Sequence, residues 1–126
     1  MLMRIFKSKW FNKWAEKEGL TDKTLVGAIT EMEAGLNDGD LGGHVYKKRA
    51  AIQGQGKRGS LRTIVAFKIE DKSFFMFGFA KNKQDNIDKK ELKALKLMAK
   101  DLLSYSDKQL KQAIKTSELI EVQNHE

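Results

Sequence analysis

The chain has 126 residues, of which 24 are lysine or arginine and 17 aspartate or glutamate, for a net charge of +7. It contains no cysteine, which excludes disulfides, cysteine zinc sites and thiol nucleophiles together and fits a reducing cytoplasm. The length suits one domain, residues 1–126, with a core that needs no staples; Met1 to Phe11 has no apolar h-region of a signal peptide, and no run approaches the roughly 20 apolar residues of a membrane span.

In chain order, Met3 to Lys7 places apolar side chains at alternate positions and reads as a first strand. Ser8 is a candidate N-cap for a helix carrying Trp10, Phe11 and Trp14, and Gly19-Leu20 fits a left-handed ending. Thr21 caps a second helix with Leu25, Val26, Ile29 and Met32 at helical spacing, closed by Gly35-Leu36. A linker this short makes the two helices antiparallel neighbours that cover a sheet, with Trp10 and Trp14 read as core side chains. Asn37 to Gly43 reads as a loop and Val45 to Ile52 as a strand, in which Lys47 and Arg49 share one face while Lys48 takes the other. The segment Gln53 to Gly59, with glycines at 54, 56 and 59, is a second loop.

Leu61 to Ile69 and Ser73 to Ala80 form a hairpin. A two-residue turn at Asp71-Lys72 would set Arg62 opposite Lys81, with Ile64 and Phe79 beside them, and would gather Leu61, Val65, Phe67 and Ile69 against Phe74 and Met76 on the other face. Phe74, Phe75, Phe77 and Phe79 fit sheet burial, with Phe79 the expected exception. Asp88 with Glu91 and Ser106 with Gln109 are capping boxes, so two more helices start there, the second running from Asp107 to about Lys115. Leu119, Ile120 and Val122 suggest a short last strand.

Charge is the strongest functional signal. From Leu41 to Ile69 there are seven basic residues (Lys47, Lys48, Arg49, Lys57, Arg58, Arg62 and Lys68) and no aspartate or glutamate. The rest of the chain is therefore charge-balanced, and a single basic patch on a neutral body marks a protein that handles a polyanion. The glycine spacing lets backbone N–H groups turn toward an anion, although a mobile hairpin tip has the same spacing and the P-loop pattern is absent. Two histidines far apart and no acidic cluster at ligand spacing give no expectation of a metal or cofactor. His44 reads as an ordinary surface histidine. Crowded cations suit RNA cleavage by attack of a 2′-hydroxyl on the adjacent phosphate, which needs charge stabilisation and proton transfer at two oxygens.

The run Lys47-Lys48-Arg49, then Gly54-Gln55-Gly56-Lys57-Arg58-Gly59 with Arg62, then Phe77-Gly78-Phe79-Ala80-Lys81-Asn82 ahead of a leucine-rich helix resembles the RelE/HigB-like toxins of bacterial type II toxin–antitoxin systems. The resemblance covers roughly residues 3 to 104 and leaves 105–126 as a C-terminal helical extension. It implies an α+β fold in which two antiparallel N-terminal helices pack on a small, twisted, mainly antiparallel sheet, with C-terminal helices following. It further implies a cytoplasmic, metal-independent endoribonuclease that cuts messenger RNA, usually on the ribosome, and is silenced in an oligomer with a cognate antitoxin. Carried over by position, Arg62, Lys81, Arg49 and Lys47 would form the catalytic set, and Lys48, Lys57, Arg58 and Asn82 would hold RNA. Asn82 stands where RelE has a catalytic arginine, and Lys83 to Lys90 lacks the tyrosine or histidine many members place there, so the acid and base are unassigned. Two other functions stay open: a non-catalytic, ParE-like inhibitor of DNA gyrase, and a plain RNA-binding module.

Overall fold

The computed structural model of the protein describes residues 3–51, 60–69, 71–81 and 86–123. Its elements run in the order β1 (Arg4–Ser8), α1 (Lys9–Glu18), α2 (Asp22–Glu33), β2 (Gly39–Gly42), β3 (Val45–Ala51), β4 (Ser60–Phe67), β5 (Lys72–Ala80), α3 (Lys89–Leu103), α4 (Asp107–Lys115) and β6 (Leu119–Glu121). This is an α+β chain with a six-stranded sheet in the order β2-β3-β4-β5-β1-β6, antiparallel throughout except for β1 beside β5.

The helices begin where local chemistry predicts. Ser8 Oγ accepts from Phe11 N–H at 3.0 Å and Thr21 Oγ1 from Thr24 N–H at 3.3 Å, while Asp88/Glu91 and Ser106/Gln109 form complete capping boxes. Each cap satisfies an N–H that the first helical turn cannot bond internally. Gly19 and Gly35 take left-handed φ of 80° and 90°, which only glycine adopts without a Cβ penalty.

Alternation along the strands divides the interior in two. Ile5, Leu61, Val65 and Phe75 share a buried cluster with Phe11 and Ala15 of α1 and Leu25, Ile29 and Met32 of α2. Phe6, Ile64, Ala66 and Phe74 share the other with Leu95, Ala99 and Leu102 of α3 and Leu110 and Ala113 of α4. Consecutive strand residues thus serve opposite layers, as the two-residue period requires. Helix α2 is further tied to the sheet at both ends. The buried Lys7 ammonium meets Asp22 at 2.9 Å, and Lys48, 7% exposed, meets Glu31 at 2.9 Å.

Several expectations are corrected here. Asn37 to Gly43 is not simply a loop, because Gly39 to Gly42 pairs with β3. The hairpin closes through a two-residue turn at Gly43 and His44, with φ of 61° and 64°, the doubly positive pair of a type I′ turn. The β4–β5 turn also closes earlier than expected, with Asp71 N–H donating to Lys68 C=O at 3.1 Å. Phe67 therefore faces Ser73, a register that alone would set Arg62 opposite Gly78; an extra residue in β5, Met76, moves it by one, so that Arg62 faces Phe79 and not the expected Lys81. The bulge redistributes the phenylalanines as well: Phe74, Met76 and Phe79 join the α3 cluster, and Phe75 alone serves the α1 side. Phe79 is buried and so is no exception, whereas Trp10, expected in the core, is 49% exposed.

The bulge also brings Gly78 under Trp14, where a Cβ would overlap the indole ring. Gly78→Ala is expected to lower stability by about 1–3 kcal/mol, the usual cost of overpacking. Thermal melting of Gly78→Ala with and without Trp14→Ala checks this, since the penalty should largely vanish once the ring is gone. The Lys48–Glu31 pair predicts an asymmetry. Lys48→Met should be nearly neutral because the half-exposed Glu31 is left in water, whereas Glu31→Ala strands a buried ammonium and should cost about 1–3 kcal/mol despite favouring helix. Urea titration of the two variants separates them.

Candidate nucleic-acid interface

The site is built by β3 and β4 on the α3 side of the sheet. Val45 anchors that face of β3 in the α3 cluster, so Lys47 and Arg49, two and four residues on, share it. On β4, Ile64 and Ala66 belong to the same cluster, which places Arg62 on that face too. The register sets Lys47 opposite Ile64 and Arg49 opposite Arg62. Arg62 in turn faces Phe79 of β5, so Arg49, Arg62 and Phe79 form one row across three strands. Lys81 is exposed two residues beyond Phe79, just past the end of β5.

Two arginines directly opposite one another have Cβ atoms about 4.5–5.5 Å apart, a spacing at which like charges destabilise a sheet. A guanidinium fork is matched to phosphate oxygens, so two on one face can grip an anion together. Asp38 Oδ2 accepts from the backbone N–H of Arg49 at 2.7 Å, and the N–H of Asp38 donates to Lys47 C=O at 2.9 Å. These bonds complete the edge of β3 past its last pair with β2. Among the described residues, the ion pairs found engage neither Lys47, Arg49 nor Lys81.

Of the residues expected at the site, the structure brings Lys47, Arg49 and Arg62 onto one face and puts Lys81 near its end. Lys48, expected to hold RNA, is turned to the opposite layer and its ammonium is taken by Glu31. The alternation of β3 alone requires this, since one of three consecutive strand residues must face away. Lys57, Arg58, Asn82 and the glycine-rich loop lie outside the described residues. His44 is exposed in the β2–β3 turn, and four residues, about 13 Å of strand, separate its neighbour Val45 from Arg49. Tyr46 faces the other layer, its ring edge-on to Phe67 at 5.8 Å. Tyr105 donates to Glu118 at 3.1 Å, and its hydroxyl is pushed above the usual tyrosine range by burial first and by that bond second.

Sequence reasoning missed Asp38 and Gly39 as the edge that supports Lys47 and Arg49. The only signal was the Gly43-His44 turn, weak beside a glycine-rich stretch of low strand propensity.

The RelE toxin family of the RelE/RelB toxin–antitoxin system matches residues 3–122. No curated protein matches the chain. With a family match over nearly its whole length, the chain belongs to the RelE toxin family.

Proposed function

We infer that the protein is the toxin component of a toxin–antitoxin pair and acts as a metal-independent endoribonuclease on messenger RNA at the ribosome. The observation that carries this reading is the pairing of Arg49 with Arg62 across β3 and β4, which brings two guanidiniums, each matched to phosphate oxygens, to one face of the sheet. In this reading residues 1–126 form one domain, with helices α1 and α2 as the family's antiparallel pair on one face and residues 105–126 as an extension. The cognate antitoxin silences the toxin in a cytoplasmic complex by covering the basic face.

The 2′-hydroxyl of one nucleotide attacks the adjacent phosphorus, the P–O5′ bond breaks, and the 5′-oxygen leaves with a proton. Negative charge grows on the non-bridging oxygens in the transition state. In this reading Arg62 and Lys81 stabilise that charge, since cationic donors beside the transferring phosphate act where the charge develops. Lys47 and Arg49, with Lys57 and Arg58 from the glycine-rich loop and Asn82 beyond β5, hold the flanking RNA. Lys48 has no part in this set because its charge is spent within the fold.

Expression in bacteria of the intact chain beside Arg62→Ala tests the proposal. The intact chain should arrest growth and create new 5′-ends inside translated messages, and folded Arg62→Ala should do neither, with a loss of at least a hundredfold in cleavage. Equal arrest by both proteins without new ends would point to inhibition by binding, as in a gyrase inhibitor. Loss of RNA affinity in step with activity for every cation replaced would indicate a plain binding module.

A further inference from the structure

An aromatic ladder leads away from the basic row. Phe79, the residue facing Arg62, has its ring 6.3 Å from that of Phe77. Phe77 stacks on Trp10 of α1 at 4.7 Å with the planes 24° apart, and Trp10 lies 6.1 Å from Trp14 at 13°. Strand β1 pairs with β5 only as far as Phe75, because Ser8 ends β1 and caps α1. The edge of β5 beyond Phe75 is therefore met by the first turns of α1 instead of a strand. Trp14 is held by Gly78, and Trp10 is left with about half its surface open. The exposed lysines Lys9 and Lys13 flank it at helical spacing.

An exposed tryptophan braced by a second ring is costly to leave in water, and it adds little to the core that Phe11 and Phe75 already fill at a ring separation of 5.1 Å. Cations on both sides of an aromatic step are the arrangement by which single-stranded RNA is held, with phosphates on the basic groups and a base on the ring. We propose that Trp10, backed by Phe77, is the stacking platform for an RNA base next to the phosphate held by Arg49 and Arg62. This rests on the ribonuclease reading and adds to it a residue on α1 that sets which base sits beside the cut. An acidic peptide would also be drawn to the lysines, but continuity through Phe77 and Phe79 to the arginine row favours the nucleic acid.

The test maps transcript 5′-ends in bacteria expressing the intact chain, Trp10→Phe, Trp10→Leu, Phe77→Leu and Arg62→Ala, each checked for folding by thermal melting. Trp10→Phe keeps an aromatic face and should cut at the same positions within a few-fold. Trp10→Leu covers the same surface without stacking and should cut about tenfold less, with the base preference beside the cut flattened. Phe77→Leu should fall between them, and it carries the test if Trp10→Leu does not fold. Unchanged rate and preference in the folded leucine variants overturns the platform alone. So does equal loss in Trp10→Phe and Trp10→Leu, or intact cleavage by Trp10→Leu with escape from the antitoxin, which would assign the ring to a protein partner. No new ends from the intact chain overturns the ribonuclease reading and the platform together.

Discussion

Phe74 and Phe75, consecutive on β5, hold the two layers of the molecule to one sheet. Phe74 stacks on Phe6 of β1 at 5.1 Å and 17°, in the cluster shared with α3 and α4, while Phe75 packs at 5.1 Å on Phe11 of α1 in the other cluster. Such pairs contribute roughly 0.5–1.5 kcal/mol each beyond the area they bury. The parallel pairing of β1 with β5, in which Phe6 and Phe74 are partners, makes both stacks possible at once. A parallel pair needs a long crossover, and here everything from α1 to β4 supplies it. The first strand thereby sits between the last hairpin and β6, and Val122 N–H bonds to Ile5 C=O at 2.8 Å.

That topology leaves the basic tract at one side of the sheet. β3 and β4 are covered by α2 and α3 over their apolar positions, and the cations follow on where the apolar residues stop. Among the described residues, several carboxylates serve the fold. Glu31 compensates the buried Lys48, Asp22 compensates Lys7 and accepts from Gln123 N–H at 2.9 Å, and Asp38 finishes the backbone edge of β3. Arg49 and Arg62 place like charges opposite one another across β3 and β4, a local conflict of the kind that functional sites retain. Lys48 shows the contrast: one residue from both Lys47 and Arg49, the same kind of side chain becomes structural once Glu31 on α2 meets it.

The sequence by itself determined the features that local chemistry controls. Caps at Ser8, Thr21, Asp88 and Ser106 act within one turn, and left-handed glycines at 19 and 35 act within one residue, so each could be read without knowing the fold. The division of Lys47 and Arg49 from Lys48 follows from the two-residue period of a strand, and the basic tract from composition. Only the tertiary structure decided what depends on two distant segments meeting. The β4–β5 register turns on where the chain closes at Lys68 and on the extra residue at Met76, and packing of Trp14 on Gly78 accompanies that choice. That register, and not the spacing of cations, put Phe79 beside Arg62. It also turned Trp10 outward, because β1 ends at Ser8 before it can cover the rest of β5, a limit that no periodicity within either strand contains.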